Sequence, residues 1–109
     1  MLGLTRDVSE IPRSMVTTTE SIPGFEITTT LGTVEGIVER SFKSMSVGGI
    51  VVVQGGELSS MLRDAKRQME QAASDQGANA IVAVRYEVGA RDLEKSVVVY
   101  GTAVKCQKI

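Results

Sequence analysis

Residues 55–88 read GGELSSMLRDAKRQMEQAASDQGANAIVAVRYEV, and the two halves of this stretch follow different periods. In the first half Leu58, Met61, Leu62, Ala65, Met69, Ala72 and Ala73 recur at three- and four-residue steps. That spacing predicts one apolar stripe along a helix of about five turns, from Glu57 to Gln76. Arg63, Asp64, Lys66, Arg67, Glu70, Gln71, Ser74 and Asp75 fall on the other face and are expected to meet water. Gly77 can take the left-handed conformation that ends a helix, and after Asn79 the chain becomes an apolar strand, Ala80–Val88. A helix of this kind covers a sheet, and none of its side chains forms a reactive constellation.

Working outward, Ala80, Val82, Val84, Tyr86 and Val88 alternate with Ile81, Ala83, Arg85 and Glu87, so the strand is apolar on both sides at first and on one side later. Gly89–Lys95 carries Arg91, Asp92, Glu94 and Lys95 and reads as a solvated loop. Ser96–Cys106 then returns as the last strand, antiparallel to Ala80–Val88. Val97, Val99 and Ala103 lie on one side of it, and Val98, Tyr100, Val104 and Cys106 on the other. One helix covers one face of a sheet, so the second apolar face implies a further subunit.

On the N-terminal side, residues 1–14 mix charges with Pro12, show no period, and read as an arm, disordered or docked on a neighbour, ahead of a single domain over 15–109. Val16–Thr19 has the β-branched content of a short strand, and Pro23-Gly24 supplies a type II turn. Phe25, Ile27 and Leu31 then alternate with Glu26, Thr28 and Thr30, but after Gly32 the apolar positions become Val34 and Val38. An extra residue near Gly32 accounts for that slip, which predicts a long bent strand, Phe25–Val38, with both halves facing the core. Residues 39–54 are ambiguous: Ser41–Met45 suits a helical turn and Ile50–Val53 a strand, with glycine pairs on either side of the latter. Gly55-Gly56 before a helix raises phosphate binding, but Glu57-Leu58 stands where a phosphate loop carries Lys-Ser/Thr, so an ordinary helix start is expected.

Composition narrows the function classes. The chain has 109 residues, enough for one modest core, and twelve basic against thirteen acidic residues, with no basic stripe for nucleic acid and no polybasic anchor for a membrane. It contains no histidine and no tryptophan, which removes Ser-His and Cys-His nucleophilic pairs, imidazole zinc sites and large stacking platforms from a single chain. One cysteine allows no internal disulfide; with no apolar run long enough to span a bilayer and charged Arg6 and Asp7 near the start, a soluble, unexported, cytoplasmic protein is expected.

Four strings in order carry a resemblance: Met15–Gly24 (MVTTTESIPG), Gly55-Gly56 opening a helix that holds Leu62 and Ala65-Lys66, Gly77–Val82 (GANAIV), and Gly101–Val104 (GTAV). Together they resemble the YbjQ family, whose members carry a heavy-metal-binding label, over Met15 to about Lys105. The resemblance implies an α+β subunit of dodecin-like arrangement, assembled as a pentamer. The chain departs from the family between Val38 and Gly55 and around Ser59–Met61, where relatives have more aromatic and acidic residues.

The expected fold class is therefore α+β, one long helix packed on an antiparallel, bent sheet. Three functional readings are open to such a chain. The first is a non-enzymatic homo-oligomeric module that binds a small ligand or partner or is structural; its available groups are Thr17, Thr19, Glu26, Thr28, Thr30 and Glu35, which the solvent face of ordinary strands also explains. The second is a soft heavy metal or metalloid held by Cys106 thiolates shared between subunits, since one thiolate is not a site; a small packed residue at a strand end explains Cys106 more simply. The third is carboxylate catalysis by Asp64, Glu70 and Asp75, against which stands a salt-bridged wet face with Lys66 and Arg67. Met61 and Met69 are core filling rather than a thioether site. The first reading is preferred, the second is its alternative, and no enzyme activity is expected.

Overall fold

The computed structural model describes residues 11–41, 45–47, 50–52, 57–91 and 94–109. A 3₁₀ turn, Arg13–Met15, precedes strand β1 (Phe25–Ser41), a small pair β2 (Met45–Val47) and β3 (Ile50–Val52), helix α1 (Glu57–Asp75), and the hairpin β4 (Ala80–Arg91) and β5 (Glu94–Lys108). β1, β5 and β4 form an antiparallel sheet in that spatial order, and β2 pairs with β3 separately. The fold is α+β, one helix on a three-stranded antiparallel sheet. The glycine pairs 48–49 and 55–56, the 42–44 part of the expected helical turn and residues 1–10 of the arm lie outside the described residues; Ser41 and Met45 themselves are in strands.

The helix forms where the apolar stripe predicted it. Met61, Ala65, Met69 and Ala73 are fully buried and Leu58, Leu62 and Ala72 pack beside them, on one face of the sheet. Burying each methionine side chain is worth roughly 1.5–3 kcal/mol against leaving it in water. The helix ends in a complete Schellman motif: Gly77, at φ +86°, donates its N–H to Ser74 O (2.9 Å), and Ala78 donates to Ala73 O (3.1 Å). Small residues let the layers close. A Cβ on Gly36 of β1 would overlap the carbonyl oxygen of Ala65 and stand 2.9 Å from Gln68 Cβ, so α1 crosses β1 directly over this glycine. At the same crossing the Ile37 N–H donates to Gln68 Oε1 (3.1 Å), which occupies an amide of the edge strand β1.

Two clusters divide the apolar residues. The larger lies under the helix and joins the buried stripe to Val34, Ile81, Val84, Val97, Val99 and Ala103; Ile11 also reaches it, 7% exposed. The smaller, Ala80, Val82, Val104 and Cys106, is covered by Met15, Ile22 and Phe25. The face opposite the helix is thus covered at one end by the chain's own residues 15–25, rather than being left entirely to a further subunit as the patterning suggested.

Several sequence expectations are corrected. Val16–Thr19 is not a strand: Val16 makes one parallel bridge to Ile81, and the following residues form bends. The reason is local. Thr17 Oγ1 accepts the Thr19 N–H (3.1 Å) and lies 2.7 Å from Thr19 Oγ1, while Thr19 Oγ1 donates to Ser21 O (2.6 Å), so hydroxyls compete with a ladder. The Pro23-Gly24 turn does form, with Gly24 at φ +84° and Phe25 N–H donating to Ile22 O (3.0 Å). The bent strand is longer than expected and shifts register twice, at Thr30/Gly32 as predicted and also at Ile27/Thr29. Its halves serve different clusters, Phe25 the smaller and Leu31, Val34 and Val38 the larger, rather than one shared face.

The face assignment along β4 also changes. A register shift between Val82 and Arg85, with Ala83 at φ +56°, moves the alternation by one residue. Ile81 and Val84 then face the helix while Ala80 and Val82 face away. Because all these residues are apolar, a slip among them leaves no trace in the pattern. The expected loop Gly89–Lys95 is mostly strand: the ladder runs to the pair Arg91–Glu94.

Candidate functional site

The six threonines and glutamates proposed from sequence do not converge. Thr17 and Thr19 are occupied with each other before β1. Glu26 accepts a hydrogen bond from Gln107 Nε2 (2.7 Å), and Thr28 Oγ1 donates to Lys105 O (3.2 Å), both across to β5. Thr30 is opposite Val104 and Glu35 opposite Tyr100, farther along β1, and both are exposed. A cleft of about 550 Å³ does exist, but at the other end of the sheet, where Glu39, Arg40, Glu94 and Lys95 stand around Gly89 and Ser96, and none of the six lines it.

Cys106 is buried at 6% exposure, and its surroundings are apolar. Burial pushes the thiol pKa above its ordinary value, which disfavours the thiolate that binds metal or attacks an electrophile. Its backbone is held by a residue that sequence reasoning passed over as a string element. Asn79 donates from Nδ2 to Cys106 O and accepts the Cys106 N–H at Oδ1, both 2.8 Å, and its own N–H donates to Val104 O (3.1 Å). The amide side chain therefore continues the β4–β5 ladder by one step, and this pair of hydrogen bonds is what the asparagine of the Gly-Ala-Asn-Ala string supplies. Among the described residues no three His, Cys, Asp or Glu side chains group so as to hold a metal ion.

The helix acids separate into different environments. Asp64 accepts a 2.6 Å charged hydrogen bond from Arg40 Nη2 on β1, so its partner is across the layer rather than Lys66 or Arg67 on its own helix. Both side chains are about a third exposed, and such pairs contribute about 0–1 kcal/mol. Asp75 accepts from Gln71 Nε2 (2.9 Å). Glu70 is half-buried, not fully wet, and burial raises its pKa in spite of Lys66, Arg13 and Arg67 nearby. These three carboxylates share no contact among those observed, and each is accounted for by packing or pairing.

The GTAV string likewise has a steric basis. A Cβ on Gly101 in the central strand β5 would lie 2.9 Å from Ile81 Cγ2 and 3.1 Å from Val82 O, where β4 bulges towards it. Sequence could have pointed to this glycine through its position inside an otherwise β-branched strand. Among the described residues no helix is long and apolar enough to cross a membrane.

The comparisons with known proteins agree with this architecture. Residues 14–107 match the YbjQ family model, described as "Putative heavy-metal-binding". A UPF0145 protein of Lactobacillus johnsonii is 41% identical over 104 residues, covering 84% of this chain and 93% of the relative. The UPF0145 protein YjfJ of Lactococcus lactis subsp. lactis is 36% identical over 87% of this chain and 96% of its own length, and a UPF0145 protein of Saccharolobus islandicus is 36% identical over 86% and 91%. Among solved structures, a protein of unknown function from Pediococcus pentosaceus, assigned to the DUF74 family, superposes with a TM-score of 0.66 at 16% identity, covering 84% of this chain and 96% of that one, which shows a shared fold. With a family model spanning almost the whole domain and relatives of this identity along most of its length, the chain belongs to the YbjQ family.

Proposed function

We propose that the chain is a non-enzymatic, self-assembling module, a pentamer as the family resemblance implies, whose binding or structural role belongs to the surfaces between copies. The observation that carries this reading is the apolar row on the sheet face away from the helix. Ile37 is 45% exposed and pairs with half-buried Val98, and half-buried Tyr100 is next on the same side of β5, outside the cluster that Met15, Ile22 and Phe25 cover. On the helix side, Tyr86 and Val88 are 45% and 51% exposed. Three exposed and two half-buried apolar or aromatic side chains in the strands of one copy suit burial against another.

The test is native mass spectrometry of untagged protein, which reads subunit number and any retained ligand together. A five-subunit mass is expected; a monomer at micromolar concentration overturns the reading.

A second reading is favoured by the family description: a soft metal held by Cys106 thiolates from several copies. Copies meeting on this sheet face could bring these thiols together, although burial and the raised thiol pKa oppose it. Titration with Cd²⁺ decides between them. Tight binding that disappears in Cys106→Ser supports the thiol site, and equal binding by both proteins removes it.

A further inference from the structure

The smaller cluster has an unusual cover. Ala80, Val82, Val104 and Cys106 belong to β4 and β5, while every partly buried apolar side chain packed on them, Met15, Ile22 and Phe25, comes from the segment that leads into β1. This strap is tied at both ends. Ile11, Met15 and Val16 pack against the larger cluster, and the Pro23-Gly24 turn fixes the start of β1. Between Val16 and Phe25 it contributes one apolar side chain to the cluster, Ile22; Thr18, Thr19, Glu20 and Ser21 are exposed.

Among the described residues, four hydrogen bonds hold its middle to the edge of β4. Thr17 N–H donates to Ile81 O (3.0 Å), Ala83 N–H to Thr19 O (2.7 Å), Val84 N–H to Thr17 O (3.1 Å), and Arg85 Nη1 to Thr18 O (2.9 Å). Two of these amides belong to the bulge, where Ala83 takes φ +56°, the one positive φ at a non-glycine residue among those described. An L-residue resists that conformation, so the strap is bonded to a locally strained point of β4.

We propose that residues 17–22 form a cover that opens independently of the main core and controls access of solvent and thiol-seeking solutes to Cys106. The larger cluster, with the helix and both long strands, keeps its contacts when this segment lifts. What is lost is Ile22 and four hydrogen bonds at a solvent-facing edge, the composition expected of a segment that opens by itself rather than with the whole fold. The proposal is independent of the assembly reading, and protein concentration separates the two.

The test is the rate at which N-ethylmaleimide labels Cys106 in the full chain, read by intact mass across low urea and at two protein concentrations. Expected is slow labelling whose urea dependence is much shallower than that of global unfolding, unchanged by protein concentration. Ile22→Ala should accelerate it about tenfold, as loss of a partly buried aliphatic side chain implies. Thr19→Val, which removes the Oγ1 bonds within the strap, should act in the same direction. Met69→Ala, in the other cluster, should lower the global midpoint and leave the shallow labelling rate unchanged. Labelling that follows global unfolding in the wild type, that proceeds at the rate of a free thiol, that slows as concentration rises, or that responds to Met69→Ala as much as to Ile22→Ala overturns the proposal.

Discussion

At the scale of single residues, one glycine and one half-buried carboxylate on the helix–sheet side carry predictions. Gly36 has no room for a methyl group, because the Ala65 carbonyl occupies the place a Cβ would take. Gly36→Ala should push α1 off β1 and cost about 3 kcal/mol, at the upper end of overpacking effects, measured by urea denaturation. Nothing in the alternation of β1 announces this, since the glycine reads as one more gap in a strand. Glu70 gives a prediction with a sign. Its folded-state pKa lies above the ordinary value of 4.5 because burial penalises the carboxylate more than Lys66, Arg13 and Arg67 favour it. The group's contribution to stability is therefore full below the unfolded pKa and is lost as pH rises through the raised folded value. Glu70→Gln should raise the thermal midpoint at pH 7, and the gain should shrink towards zero at pH 4, as followed by circular dichroism.

At the scale of elements, the helix and its exit were legible because periodicity and stop signals coincide. The stripe from Leu58 to Ala73 is regular, and Gly77 stands where the left-handed residue is needed. Gly77→Ala should cost about 1 kcal/mol through the forced positive φ, with little change in the fold, detectable as a shift of the urea midpoint. The strands were legible in existence but less so in register. The shift near Gly32 showed because polar and apolar residues exchange phase there, whereas the shift at Ala83 lies inside a run that is apolar at every position. Val16–Thr19 departs from its strand-like composition for a related reason. β-branched threonines favour strands, but their hydroxyls here bond to neighbouring backbone and to each other, and a bent strap results.

At the scale of the molecule, the radius of gyration of 17.3 Å stands against about 13 Å for a compact chain of this length, and the longest dimension is 61 Å. β1 explains most of that length, since its 17 residues span about 56 Å when extended. A shape 19 Å thin in its shortest direction buries little of itself, which agrees with the assembly proposed from Ile37, Val98 and Tyr100. Ile37→Lys should place a charge in that row, leave the monomer folded, and lower the subunit number measured by light scattering; an unchanged mass would place the contact elsewhere.

The sequence by itself determined the α+β class, the helix and its C-terminal stop, the β4–β5 hairpin and the family, because these depend on periodicity and on strings of adjacent residues. It also named candidate ligands, from Thr17 to Cys106, without showing whether they meet. Only the tertiary structure decided that. The six hydroxyl and carboxylate candidates are spread along β1 and the strap, Asp64 turns to Arg40, and Cys106 belongs to the cluster that Met15, Ile22 and Phe25 cover. The physical reason is that these outcomes depend on register and on which segment covers which face, and a shift of one residue among uniformly apolar neighbours changes both without altering the pattern.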